Sequence, residues 1–224
     1  SPITNHQLPI TNYQSPITRH QLPITNYQAP ITDLKIVGIL LAAGSGSRFG
    51  GGKLLHPLPD GTMIGVTSLL NLKCALPNVI AVIRSGDKGL RKLLEGQGVS
   101  IHVCSDAHLG MARSFVCGIH ASRDADGWVI ALGDMPFVLP RTIKAIAERI
   151  AQTGRIAIPA YRGERGHPVG FGRRYLAELL KLEGDEGARS VVKRHPRDLD
   201  IVDCDDPGIL RDIDTTADLE RPAG

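Results

Sequence analysis

The stretch "LKIVGILLAAGSGSRFGGGK", residues 34–53, joins a run of apolar residues to a loop rich in glycine. The continuous apolar run predicts a buried strand that ends at the glycine loop. The five glycines of the loop allow unusual backbone angles and a close approach to a ligand, and their N–H groups can face phosphate oxygens. Arg48 offers a planar fork of donors and Lys53 a flexible positive charge. The stretch therefore predicts a phosphate-binding loop.

Two common phosphate-binding templates do not fit this loop. A Walker loop requires G-x-x-x-x-G-K-[ST], but Ser47 stands at the first glycine and Leu54 replaces the hydroxyl residue that holds magnesium. The dinucleotide template G-x-G-x-x-G has Phe49 at its third glycine. Because the loop lacks that hydroxyl, a metal ion would have to be held by residues elsewhere in the chain.

Further apolar runs alternate with helical patterns along the chain. The runs predict strands within residues 78–85, 99–105, 127–132 and 155–160, and the patterns predict helices within residues 63–75, 87–97, 110–122 and 140–154. This alternation predicts an α/β fold that is doubly wound around a mainly parallel, Rossmann-like sheet. Ligands of such folds bind beyond the carboxyl ends of the strands, so we expect chemistry in the loops after the first and fourth strands.

Acidic residues follow the fourth strand and recur near the end of the chain. Asp134 comes just after a buried run, where its carboxylate would lie near the glycine loop. Magnesium commonly takes one or two carboxylates plus substrate phosphates, so Asp134 is a candidate ligand, although it could also cap a turn. Asp212 and Asp214 share a face of an extended segment. One of them could complete the metal site and the other could cap a helix near Thr215.

The bulk composition excludes several classes of protein. The net charge of +3 is too small to indicate a nucleic-acid surface, so we expect no nucleic-acid partner. The longest apolar run, residues 36–43, is far shorter than the roughly 20 residues of a membrane helix, so we expect no membrane contact. The four cysteines form no CxxC pair and are expected to be reduced, buried thiols. These features favour a cytoplasmic protein.

Residues 1–32 repeat the unit "PITNxQx", with Arg19 in place of asparagine in the third copy, at a period of seven. Proline opens every unit and costs about 3 kcal/mol inside a helix, which argues against a coiled coil. We expect residues 1–33 to form a disordered tail and residues 34–224 to form the functional domain. The tail is interpreted as translated repetitive DNA, with a binding tail as the alternative.

Six motifs are distributed along the chain beyond the repeat: "LAAGSGSRFGGGK" (41–53), "GMARSF" (110–115), "GDMP" (133–136), "YRGERGHPVGF" (161–171), "GDEGAR" (184–189) and "DIDTTADL" (212–219). Together they resemble the nucleotidyltransferase superfamily of MobA-like NTP transferases, and within it the molybdenum cofactor cytidylyltransferase family. The resemblance extends from Lys35 to Leu219. Thr216 stands where that family has proline.

The resemblance implies a fold of the nucleotide-diphospho-sugar transferase type and a Mg²⁺-dependent reaction. CMP would pass from CTP to molybdopterin-bound molybdenum, with release of pyrophosphate. Arg48 and Lys53 would hold the leaving pyrophosphate, and Asp134 with Asp214 or Asp212 would hold the metal. The residues implied to face the base and ribose are Leu41, Ala42, Ala43, Gly44, Ser45, Gly46 and Ser114.

Three later residues are candidates for gripping the phosphate or pterin of the acceptor, namely Arg165, His167 and Arg189. For His167 the alternative is an imidazole bonded to the backbone that only shapes the next strand. Arg189 could equally pair with Glu183 or Glu186 on the surface.

Several functional alternatives stay open at this stage. The "LAAG" sequence favours cytidylyl transfer, but the nucleotide could be GTP, as in a molybdenum cofactor guanylyltransferase. The acceptor could instead be a sugar or polyol phosphate. A third hypothesis is a non-catalytic accessory protein of a molybdoenzyme, and a molybdoenzyme apoprotein is a possible partner in either case.

Overall fold

Eight strands form one mixed sheet in the computed structural model, which describes residues 34–44, 46, 49–184 and 187–219. The expected tail, residues 1–33, lies outside the described residues, as do Ser45 and Arg48. The strands are β1 (Ile36–Ala42), β2 (Asn78–Arg84), β3 (Ser100–Cys104), β4 (Gly127–Leu132), β5 (Ile156–Tyr161), β6 (Glu164–Arg165), β7 (Val169–Gly172) and β8 (Leu199–Asp203). The helices are α1 (Ile64–Ala75), α2 (Lys88–Glu95), α3 (Met111–Ala121), α4 (Pro140–Thr153), α5 (Leu176–Leu179) and α6 (Arg189–Arg194).

Hydrogen-bonded neighbours in the sheet follow the order β3-β2-β1-β4-β7-β5-β6. β8 lies outside this order and pairs with β5. Strands β3, β2, β1 and β4 are parallel to one another, and β8 is parallel to β5. The pairings of β7 with β4 and β5, and of β6 with β5, are antiparallel. The predicted α/β fold is confirmed, and so are its five predicted strands.

Helices cover both faces of the sheet, as a doubly wound fold requires. On one face α1, α2 and α4 contribute Leu69, Leu90 and Ile146 to the core. On the other face α3, α5 and α6 pack through residues such as Phe115 and Leu179. All seven residues of β1 are buried, which explains its uninterrupted apolar sequence.

The carboxyl ends of β1 and β4 are tied together, which brings their loops to the same place. The backbone N–H of Gly133 donates to the carbonyl oxygen of Leu41 at 2.9 Å. Helix α4 then begins at Pro140 and ends at Gly154, whose φ of 62° is left-handed, as the sequence predicts.

The cysteines follow the expectation of free thiols but not of uniform burial. Cys104 is buried and Cys117 and Cys204 are partly buried, whereas Cys74 is exposed. The prediction of a buried thiol is wrong for Cys74 because it lies on the solvent side of α1, whose inner face is carried by residues such as Leu72. Among the described residues, no helix has the length and apolar character needed to cross a membrane.

Candidate functional site

A cavity of about 680 Å³ lies at the carboxyl ends of the four parallel strands β1 to β4. Its volume is in the range typical of small-molecule sites. The loops after β1 and β4, where chemistry is expected from the sequence, both contribute to it through Gly44 and Asp134. The predicted site residues that line it are Leu41, Ala43, Gly44, Gly46, Lys53, Ser114 and Asp134.

The glycine loop turns sharply before it enters the cavity wall. Gly46, Gly50, Gly51 and Gly52 have φ values of 59°, 87°, 94° and 65°, a region that side chains disfavour. The N–H groups of Phe49 and Gly51 donate to the carbonyl oxygen of Gly46 at 3.0 and 3.1 Å. The loop leads directly into a short 3-10 helix, Lys53–Leu55, which begins with the lysine.

Lys53 joins the glycine loop to two aspartates from distant parts of the chain. Its Nζ lies 2.7 Å from Oδ2 of Asp134 and 3.2 Å from Oδ1 of Asp214. The Lys53 side chain is 11% exposed, against 26% for Asp134 and 39% for Asp214. The predicted proximity of Asp134 to the glycine loop is confirmed. The late acidic segment also reaches this place, and it is Asp214 that contacts the lysine.

The electrostatics of this group explain how a largely buried lysine stays charged. Burial alone would lower the pKa of Lys53, but the hydrogen bonds and charges of Asp134 and Asp214 outweigh it and raise the pKa above its ordinary value. Burial also raises the pKa of Asp212, and the charge of Asp214 adds to that rise. Asp212 therefore lies close enough to interact electrostatically with Lys53, Asp134 and Asp214.

The donor set fits a hard divalent cation. Asp134 and Asp214 present carboxylate oxygens within hydrogen-bond distance of one nitrogen atom, so a cation at that point would meet both. Magnesium is commonly bound by one or two carboxylates, with phosphates and water completing its shell. Within the described ranges, no group of three or more His, Cys, Asp or Glu forms a ready-made metal cage. Asp134 lines the cavity and Asp214 meets it through Lys53, so a cation held by both would leave coordination positions open to substrate oxygens and water.

Ala42, whose backbone is expected from the resemblance to face the nucleotide, is not among the residues that line the cavity. Its side chain is buried in the core beside Leu40, because alternate residues of a strand face opposite sides of the sheet. Ser45 and Arg48, also predicted as site residues, lie outside the described residues.

Several residues that line the cavity were not predicted as site residues. They lie at or after the carboxyl ends of β2, which pairs with β1, and of β3, which pairs with β2. The rule that ligands bind beyond carboxyl ends of strands could have found them. Arg84 and Asp87 form an ion pair of 3.7 Å, and Nδ1 of His108 lies 3.3 Å from the Ser105 carbonyl oxygen. The missed residues with polar or sulfur-containing side chains are Arg84, Ser85, Asp87, Ser105, His108 and Met111.

The three acceptor candidates do not line this cavity. Arg165 is exposed on β6, and Arg189 is exposed at the start of α6. His167 instead lines a separate cavity of about 10 Å³ that also includes Ser68. Its Nδ1 is buried and lacks a hydrogen-bond partner in the described part of the chain, so the alternative of an Nδ1 bonded to the backbone is not what the structure has. Burial lowers the pKa of His167, and the nearby charge of Arg189 lowers it further.

Comparison with curated proteins gives relatives over most of the chain. The purine catabolism protein PucB of Bacillus subtilis is 31% identical over 196 residues, which cover 83% of this chain and 94% of the relative. Nicotine blue oxidoreductase of Paenarthrobacter nicotinovorans is 30% identical over 196 residues, covering 83% and 95%. A probable molybdenum cofactor guanylyltransferase of Thermococcus sibiricus is 28% identical over 157 residues, covering 68% and 76%.

Solved structures and a family model agree with these relatives. Rv0371c of Mycobacterium tuberculosis H37Rv superposes with a TM-score of 0.71 at 31% identity, covering 83% of this chain and 95% of that one. A manganese complex of the same protein gives a TM-score of 0.66 at 30% identity, covering 82% and 95%. The family model described as the MobA-like NTP transferase domain matches residues 38–199. The chain therefore belongs to the MobA-like NTP transferase family of nucleotidyltransferases.

Proposed function

We propose that this nucleotidyltransferase transfers CMP from CTP to molybdopterin-bound molybdenum cofactor, with Mg²⁺ as its metal and pyrophosphate as the leaving group. The observation that carries the proposal is the contact of Lys53 with both Asp134 and Asp214 beside the glycine loop. A cation and two carboxylates at a glycine-lined cavity are what transfer of a nucleotidyl group from a triphosphate requires. On this proposal the reaction takes place in the cytoplasm.

Transfer of a nucleotidyl group demands positioning and charge neutralisation more than covalent chemistry. Asp134 and Asp214 would hold the metal, which when bound supplies positive charge to the phosphate oxygens. The backbone N–H groups of the glycine loop would orient the triphosphate in the cavity. Leu41, Ala43 and Ser114 line the same cavity and would face the base and ribose.

Lys53 has a second role in this proposal because its ammonium group can change partners. With a cation held by Asp134 and Asp214, the Lys53 Nζ would be available to a β or γ phosphate oxygen and would stabilise the departing pyrophosphate. The sequence assigns Arg48 the same task through its bidentate fork, and that assignment stays a prediction.

The acceptor is proposed to approach from the side of β6 and α6. Arg165 and Arg189 are exposed and carry positive charge suited to a phosphorylated pterin. The choice of a molybdenum cofactor as acceptor is supported by the sequence motifs and by the relative named as a probable guanylyltransferase of that cofactor. A molybdoenzyme apoprotein would then be the recipient of the product.

A second candidate is an oxidoreductase activity, favoured by the 30% identity to nicotine blue oxidoreductase across 83% of the chain. Electron transfer releases no pyrophosphate and so places no demand on a divalent cation at Asp134. The two candidates therefore separate on the consequence of removing that carboxylate.

The test is pyrophosphate release by purified protein with Mg²⁺ and either CTP or GTP, with molybdopterin-bound molybdenum or a sugar phosphate as acceptor. We expect turnover with CTP and molybdopterin, and its loss in Asp134→Ala. The matched control is Asp203→Ala, which removes an exposed carboxylate from β8. Turnover with GTP but not with CTP would overturn the substrate assignment, and so would turnover with the sugar phosphate but not with molybdopterin. A reductant-consuming activity that survives in Asp134→Ala would favour the oxidoreductase.

A further inference from the structure

Asp206 is fully buried and receives donors from two separate segments of the chain. Its carboxylate accepts hydrogen bonds from the backbone N–H of Leu139 at 2.9 Å, the hydroxyl of Thr142 at 2.6 Å and the backbone N–H of Gly208 at 3.0 Å. Leu139 is the N-cap residue of α4 and has no side-chain cap of its own. Asp206 thus caps α4 from a distant part of the sequence, where a negative charge also suits the helix dipole.

The segment that begins at Asp206 follows the loop after β4 along its length. We define residues 206–214 as the strap and residues 133–139 as the β4–α4 loop. A side chain at Gly208 would overlap the carbonyl oxygen of Phe137, so the backbones touch there. The guanidinium carbon of Arg211 lies 3.9 Å from the centre of the Phe137 ring. The strap is therefore held against the loop beyond the hydrogen bonds of Asp206.

The far end of this contact carries the two carboxylates of the candidate metal site. The backbone N–H of Ile213 donates to the carbonyl oxygen of Asp134 at 2.9 Å. The neighbouring residue, Asp214, then meets Asp134 across the Lys53 ammonium. Strap and loop are thus joined at one end by Asp206 and at the other by the residues that would bind the cation.

A buried carboxylate is a costly way to close a helix terminus. An exposed Ser, Thr, Asn or Asp at the N-cap position would satisfy the same N–H groups without taking a charge out of water. What the buried Asp206 adds is a rigid link between two segments, because each of its donors lies on the loop, on α4 or on the strap itself.

We propose that Asp206 is a positioning residue that sets the spacing of Asp134 and Asp214 and thereby the affinity of the site for a divalent cation. The proposal rests on the proposed function in that it takes these two aspartates as the metal ligands. Partners that orient metal ligands commonly change metal affinity by roughly 10- to 100-fold when they are mutated. We expect a loss of that size for Mn²⁺ in Asp206→Asn, because an amide cannot accept from all of the donors around it.

The experiment is titration of the full chain with Mn²⁺ alone, followed by the electron paramagnetic resonance signal of free Mn²⁺, well below the melting temperature of each variant. Asp206→Asn and Thr142→Val are the test variants, and Thr142→Ser is the conservative variant that keeps the hydroxyl. Asp205→Asn is the matched control because Asp205 directly precedes the strap and is exposed. Thermal unfolding of every variant is recorded in parallel.

We expect weakened Mn²⁺ binding in Asp206→Asn and in Thr142→Val, recovery in Thr142→Ser and wild-type binding in Asp205→Asn. If Thr142→Val and a folded Asp206→Asn melt at a lower temperature but bind Mn²⁺ as wild type does, Asp206 is only a structural cap and the proposal is overturned. A wild type that binds Mn²⁺ but transfers no nucleotide would refute the proposed function, and the binding series would still decide the role of Asp206.

Discussion

Lys53 and Asp134 form a hydrogen-bonded ion pair of 2.7 Å between a side chain that is 11% exposed and one that is 26% exposed. The pair brings the end of the glycine loop onto the end of the fourth strand, and Asp214 joins it at 3.2 Å. A single ammonium group therefore acts as the counter-ion of two carboxylates that are proposed to bind a metal. This arrangement makes the lysine and a cation competitors for the same oxygen atoms.

Lys53→Gln is expected to change metal binding and catalysis in opposite directions. Without the ammonium, a divalent cation meets less repulsion at Asp134 and Asp214, so Mn²⁺ affinity in the absence of nucleotide should rise. Transfer should fall by about 10²-fold because the leaving pyrophosphate loses a stabilising charge. Metal titration and steady-state pyrophosphate release measure the two effects. Lys92→Gln, on the exposed side of α2, is the control, and a fall in both quantities would contradict this account.

Asp214→Asn and Asp212→Asn should differ sharply although the residues are two positions apart. Only Asp214 of this pair is seen in contact with Lys53, so its loss should weaken Mn²⁺ binding by at least about tenfold and reduce transfer accordingly. Asp212→Asn should have a smaller effect, because Asp212 is coupled to the group through charge alone. Parallel metal titrations of the two variants provide the comparison. Equal losses would show that both aspartates are ligands.

The stability of the domain should depend on pH through Glu178. Burial alone would raise the pKa of Glu178, but hydrogen bonds from His195 at 2.8 Å and Arg194 at 3.1 Å outweigh it and lower the pKa. A glutamate whose pKa is lower in the folded state stabilises the fold above its unfolded pKa of about 4.3 and loses that contribution as the pH falls through the folded value.

Glu178→Gln should therefore reduce the free energy of unfolding at pH 7, and the difference from wild type should vanish at an acid pH below the lowered pKa of Glu178 in the folded state. The reduction should be at most about 1 kcal/mol, because the side chain is 37% exposed and solvent screens the interaction. Urea unfolding at the two pH values measures it. Glu148→Gln, an exposed residue of α4, should show no comparable loss at pH 7, and a constant deficit in Glu178→Gln at both pH values would contradict the assignment.

Deletion of residues 1–33 is expected to leave melting temperature and transfer activity unchanged. We propose that the domain begins at residue 34, since the backbone N–H of Lys35 donates to the Asp126 carboxylate at 2.9 Å and β1 starts at Ile36. Thermal unfolding and pyrophosphate release of the shortened chain check this. A deletion extended through Gly38 is the contrast, because it removes half of a central strand that pairs with both β2 and β4 and should unfold the domain. Loss of activity in the shorter deletion would give the tail a function.

The part of the fold that the sequence predicts is the part with strong local signals. β1 to β5 are continuous or alternating apolar runs, and α1 to α4 have helical periodicity with recognisable ends. The strands β6, β7 and β8 were not predicted. β6 has two residues, both exposed, and β7 contains two glycines. β8 has two aspartates among its five residues and no buried position. Their pairing depends on partners far along the chain rather than on their own composition.

The candidate site also has some features that the sequence predicts and others that it does not. The position of Asp134 beside Lys53 follows from the rule that parallel strands end at one edge of the sheet, and the structure confirms that proximity. The choice between Asp212 and Asp214 could not be made from their spacing, because residues 211–214 are not in a strand and the contact that distinguishes them is long-range. Asp206 carries no sequence signal of its own, since its partners Leu139 and Thr142 are adjacent only in the folded chain.

The 161-residue sequence separation between Lys53 and Asp214 has a consequence for synthesis of the protein. The strands whose ends form the cavity wall, β1 to β4, have all been translated by Leu132. The second carboxylate is added only after β8 has been translated. On the proposed function, a nascent chain would therefore contain every strand of the nucleotide cavity well before it contains both proposed metal ligands. Asp214 would be the last of the proposed site residues to be translated.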